Sequence, residues 1–247
     1  MGSSRASGAV VFRKGESVPR ARLRQDLVEL AVGYALILAT IWTARPVQAW
    51  FYWLALAWIA VTSWISFPGW AALGFRKAGF TRSLWVAIVA VALAIAAHAV
   101  AFRIHTLRQP MALRGWVLTF GGYVVWSFVQ QFLLQGYFLF RLLRLLPRPE
   151  WAGIGAALMF TAAHLPNPIL TPLTLIWGTC ACFVFLRNRN IYPLAFAHAV
   201  LGITVAITVP GPVVRNMRVG LGYLRYHAPH RNHDLPLNPP SPARTTH

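Results

Sequence analysis

The sequence predicts an all-α protein, a polytopic transmembrane helical bundle of about seven spans. Two bulk observations carry this: of 247 residues 57% are hydrophobic and only 11% are charged, and mean hydropathy is +0.54. A third is arrangement, since the apolar residues gather in long blocks separated by short polar connections, unlike the periodic dispersal of a soluble core.

The blocks fall at 27–43, 47–66, 83–104, 115–146, 151–165, 169–187 and 191–210. A span needs roughly 20 apolar residues. Most of the blocks meet this; the fourth is too long for one straight crossing and the fifth is short, which points to a long tilted helix followed by a short one packed inside the bundle. Before the first block lies a basic head, residues 1–25, expected to be disordered, with Arg5, Arg13, Lys14, Arg20, Arg22 and Arg24. It has no apolar run of the kind that a cleavable signal peptide carries, so the first span is expected to act as its own anchor. Blocks one and two are joined around Ala44-Arg45-Pro46 and flanked by Trp42, Trp50, Phe51, Tyr52 and Trp53, aromatic residues suited to the membrane interface. The third block holds His98, read as an ordinary buried or interfacial histidine. Cys180 and Cys182, two positions apart on a helix, point to different faces, which argues against a disulfide and for small apolar packing. The membrane domain is taken as 26–211 and the Pro/His-rich remainder, 212–247, as a tail. In it Pro229 interrupts the spacing of His227, His230 and His233, which weakens a metal-binding reading. No repeat or inverted pair of halves supports a transporter.

The net charge is +18, with only five acidic residues: Glu16, Asp26, Glu29, Glu150 and Asp234. In a soluble chain such a balance suggests nucleic acid. Here the basic residues lie in loops and tails, so the expected partners are membrane lipids and their anionic headgroups, with no nucleic acid. The basic head leads to the expectation of a cytoplasmic N-terminus, and the protein is expected in the cell (inner) membrane.

Polar groups at bilayer depth are costly and mark function. The second half of the chain has three such stations: Gln130-Gln131 with Gln135-Gly136-Tyr137 on the fourth block, Phe160 and His164 ending the fifth, and His198 with Gly202 on the last. Gln131 and Gln135 are i, i+4 neighbours on one helix face, with Gln130 about 100° away. Taken singly, such amides and imidazoles serve as hydrogen-bonding glue between helices. In series they resemble the CPBP (Abi) superfamily of membrane proteases, which includes the CAAX prenyl-protein endopeptidases and lysostaphin-resistance proteins. The resemblance covers about residues 115–205. The family's Glu-Glu-x-x-x-Arg motif reads Gln130-Gln131-x-x-x-Gln135 here, with Arg141 beyond; Phe-x-x-x-His is intact in Phe160 and His164; His-x-x-x-Asn reads His198 with Gly202 in the asparagine's place.

The resemblance implies an intramembrane endopeptidase frame. In it Gln130 holds the water-activating position, Gln131 stands beside it, His164 assists, and His198 supplies one oxyanion donor while Gly202 supplies none. A carboxamide is no usable base near neutral pH. The expectation is therefore a pseudoprotease that binds a hydrophobic or prenylated peptide, or a membrane-protein partner, with no cofactor. The alternatives are an active endopeptidase with another base, and a membrane scaffold unrelated to proteases. His164 and His198 without a third ligand make a poor zinc site, so no metal is expected.

Overall fold

The computed structural model describes residues 19–108 and 113–227, which are all-α. The rest of the head and tail, including His230 and His233, lies outside the described residues. Eight principal segments pack into a helical membrane bundle: α1 (Arg20–Trp42), α2 (Val47–Ile65), α3 (Phe80–Arg103), α4 (Leu113–Gln131) running through a π-helical stretch (Phe132–Leu139) into α5 (Phe140–Leu145), α6 (Pro149–Ala162), α7 (Leu170–Asn188) and α8 (Tyr192–Thr208). Two short helices follow, α9 (Gly211–Val214) and α10 (Gly220–Leu224), separated by a 3₁₀ turn (Arg215–Met217).

Four helices among the described residues are long and apolar enough to cross a membrane: Arg20–Trp42, Phe80–Arg103, Arg114–Leu145 and Leu170–Asn188. The sequence suggested about seven spans. The difference lies in α2, which carries the exposed Trp50, Tyr52, Trp53 and Trp64, and in the 14 residues of α6 and the 17 of α8. Outward faces are apolar throughout, as in the stripe of Ile88, Ile95 and Phe102 on α3, each more than 60% exposed, which suits a lipid solvent.

Local chemistry sets the helix starts. Pro149 opens α6, where its missing N–H costs nothing, and Glu150 complements the helix dipole. Asn167 Oδ1 accepts the backbone N–H groups of Ile169 and Leu170 at 3.1 and 3.0 Å as α7 begins. Asn190 Oδ1 accepts from Tyr192 at 3.2 Å as α8 begins. α6 and α7 pack closely through small residues: a methyl group at Gly178 would touch Ala157 and Phe160, and Gly153 faces Cys182.

Both ends of the chain's membrane body are more ordered than their composition suggested. Helix α1 begins at Arg20 and so takes in the last residues of the basic head. At the other end, Gly220 N–H donates to Leu165 O at 2.8 Å, and Asn167 Nδ2 donates to Val214 O and Arg218 O. These bonds hold 211–224 against the turn that carries His164.

The carboxylates at the start of α1 are buried. Glu29 Oε2 accepts from Arg141 Nε at 2.9 Å and Nη2 at 2.6 Å, and both Glu29 oxygens accept from Ser66. Asp26 accepts from Arg144 Nε at 2.6 Å and from its Nη2. Arg141 also lies over the Tyr137 ring, 3.8 Å from its centroid. Two ion pairs thus clamp α1 to α5: Arg144 meets both oxygens of Asp26, whereas Arg141 directs two N–H groups at one oxygen of Glu29.

Candidate functional site

Helices α4, α6, α7 and α8 place the three polar stations around one cavity of about 1350 Å³, whose walls also draw on α1, α2 and α3. Gln130, His164, His198 and Gly202 all line it. Gln131 lies just behind the wall, fully buried, and Gln135 is buried one turn further on.

Hydrogen bonding fixes the state of each imidazole when it is neutral. His164 Nδ1 lies 2.7 Å from the Phe160 carbonyl, which only accepts, so Nδ1 carries the proton and Nε2 offers a lone pair. His198 Nδ1 lies 3.2 Å from Gln131 Nε2, an amide nitrogen that only donates, so Nδ1 accepts and the proton sits on Nε2. One histidine therefore presents an acceptor and the other a donor. Phe160 stands between them, its ring centroid 4.7 Å from His164 and 5.9 Å from His198, and Trp177 covers the other side of His198 at 5.9 Å.

The amide relay continues from Gln135 Nε2 to Gln131 Oε1 at 3.5 Å. It crosses into the π-helical stretch, whose extra residue per turn is a local widening often found beside functional groups. Nothing in the sequence marks it, because the segment is continuously apolar around Gln135.

Among the described residues no Asp, Glu, Lys or Arg lines the cavity. Glu29 opens instead onto a separate, shallower pocket with Arg24, Gln25 and Trp58. Arg141 is engaged with Glu29 and with Tyr137 O, at 3.2 Å. His98 Nδ1 bonds to Ala94 O at 2.7 Å and takes no part in the cavity. No group of three His, Cys, Asp or Glu side chains suited to a metal occurs among the described residues.

Two groups at the cavity were missed by motif reading. One is Tyr123 on α4. A side chain at Gly202 would collide with its hydroxyl, so the tyrosine fills the space beside that glycine. The other is Cys180, exposed and in the cavity wall, whereas Cys182 is buried.

Residues 112–204 match the family model described as Type II CAAX prenyl endopeptidase Rce1-like. Over that segment the chain is similar to this family. The match runs from the start of α4 to near the end of α8 and so takes in every motif residue of the site. No curated protein and no solved structure matches the chain. Gln130, Gln131 and Gly202 stand in this segment, at the positions where the motif resemblance puts the family's acidic and asparagine residues.

Proposed function

We propose that this CAAX-endopeptidase-like membrane protein is a pseudoprotease that binds a hydrophobic peptide, prenylated or not, or a segment of a membrane-protein partner, in its cavity. The observation that carries the reading is the amide at the water-activating position: Gln130 lines the cavity, and no carboxylate does among the described residues. A positioned general base contributes about 10²–10⁴-fold and one oxyanion donor about 10²–10³-fold. The buried carboxylates of Asp26 and Glu29 cannot replace the base, since arginines hold them away from the cavity.

The remaining groups suit recognition. His164 Nε2 accepts, His198 Nε2–H donates, and the surrounding wall is apolar and aromatic. Amides in place of carboxylates keep hydrogen-bonding capacity without the cost of a buried charge.

The test uses the purified full chain with prenylated and unprenylated hydrophobic peptides. Binding is expected, with no turnover that responds to His164→Ala. Robust wild-type cleavage abolished by His164→Ala or Gln130→Ala overturns the reading and means that another base acts at the site.

A further inference from the structure

The Tyr123 hydroxyl is a polar group of the cavity that the family motifs leave without a role. Tyr123 lies seven residues before Gln130 on α4 and lines the same space. Its hydroxyl sits where a Cβ at position 202 would go. Gly202 follows His198 by four residues, so both lie on one face of α8. The tyrosine thus delivers a hydroxyl from α4 to the place beside His198. Ser127 Oγ donates to the backbone carbonyl of Tyr123, at 2.9 Å. His198 Nε2–H, set as a donor by Gln131, is a second donor in the wall of the same cavity.

Two donors in one cavity wall without formal charge select an uncharged acceptor. An ion brought into this cavity would lose its hydration with no opposite charge to offset the loss. A carbonyl oxygen has two lone pairs and little desolvation cost. We propose that Tyr123 Oη–H and His198 Nε2–H together hold the carbonyl oxygen of an uncharged, apolar chain lodged in the cavity. The inference rests on the binding reading of this site and adds its ligand chemistry: a neutral carbonyl with apolar flanks, whether the amide of a hydrophobic peptide or the ester of a neutral lipid. Tyr123 is then the specificity-determining residue, supplying from α4 the donor that α8 lacks at Gly202.

The experiment uses the full chain in nanodiscs and two probes, each with one ¹³C-labelled carbonyl: a hydrophobic peptide capped at both ends, and a long-chain fatty-acid methyl ester. Binding is titrated and the label's infrared stretch is read bound and free. For the wild type, the bound label is expected to shift to lower frequency, with the same peptide bearing a free C-terminal carboxylate bound at least tenfold more weakly. Tyr123→Phe keeps the ring and removes only the donor. It is expected to weaken binding about 2–10-fold, the range for one neutral hydrogen bond, and to reverse part of the shift. A merely space-filling tyrosine would leave the stretch unchanged in the variant. A shift with the peptide alone or the ester alone supports the inference and identifies the source of the carbonyl. Wild-type binding with an unshifted label, or equal affinity and shift in Tyr123→Phe, overturns it. Failure of the wild type to bind either probe overturns the binding reading itself.

Discussion

Tyr123 and Gly202 occupy one space: the hydroxyl of the first stands where the second would carry a Cβ. The glycine on α8 and the tyrosine on α4 are a matched pair, and a change at either is felt by the other.

Restoring the family's asparagine should therefore fail when it is done alone. Gly202→Asn overpacks the α4–α8 contact, and overpacking costs about 1–3 kcal/mol. The variant is expected to melt earlier than wild type in detergent. Adding Tyr123→Ala should recover part of the loss, giving a favourable coupling energy in a double-mutant cycle. Additive losses would show that the two side chains do not compete.

The clamp between α1 and α5 should be the most sensitive electrostatic feature of the fold. Arg141→Met leaves Glu29 buried without its partner, and breaking one side of such a pair costs about 3–5 kcal/mol. Combining it with Glu29→Gln should restore much of the stability. Thermal unfolding of the three proteins decides this, and a double variant no better than Arg141→Met would count against the pairing.

Cys180 and Cys182 should differ sharply toward a thiol reagent. Cys180 is exposed in the cavity wall, whereas Cys182 is buried between α6 and α7. One fast-labelling thiol is expected in the folded protein and two after unfolding in detergent. An apolar ligand seated in the cavity should slow the fast one. Labelling of Cys180 that no ligand alters would place the bound chain elsewhere.

The basic end of the bundle should face the cytoplasm. Bonds from Ser66 to Glu29, from Arg144 to Asp26 and from Asn190 to Arg76 O place the α1 start, the α2–α3 loop, the α5 end and the α7–α8 turn at one end. That end carries Arg20, Arg22, Arg24, Arg76, Lys77, Arg148, Arg187 and Arg189. The opposite connections carry fewer, among them Arg45, Arg103 and Arg108. By the positive-inside tendency, a reporter at the N-terminus should score as cytoplasmic; an external score reverses the orientation.

Much of the site was legible because its motif residues carry polar atoms in apolar blocks. Gln130, Gln131, His164 and His198 stand out against their neighbours, and the fold brings them to one cavity or just behind its wall. Tyr123 was not legible, since a tyrosine in an aromatic-rich span carries no periodic signal and its role depends on a missing side chain 79 residues away. Asp26 and Glu29 stand in the sequence only as two acidic residues where the first apolar block begins. Their spacing of three residues, matched by Arg141 and Arg144, held the sign of an antiparallel ladder, and only the packing of α5 against α1 made it visible. The π-helical stretch left no trace in composition at all.

The ladder also bears on how the chain is made. The partners of Asp26 and Glu29 lie 118 and 112 residues downstream, a delay on the order of ten seconds at ribosomal speed. During that interval the two carboxylates have only neighbours on α1 itself, Arg22 at 3.8 Å from Asp26 and Gln25 at 2.7 Å from Glu29, and hydrocarbon disfavours charges so weakly compensated. The first helix is therefore expected to complete its entry only when α5 arrives, the last step being set by a segment made long after it.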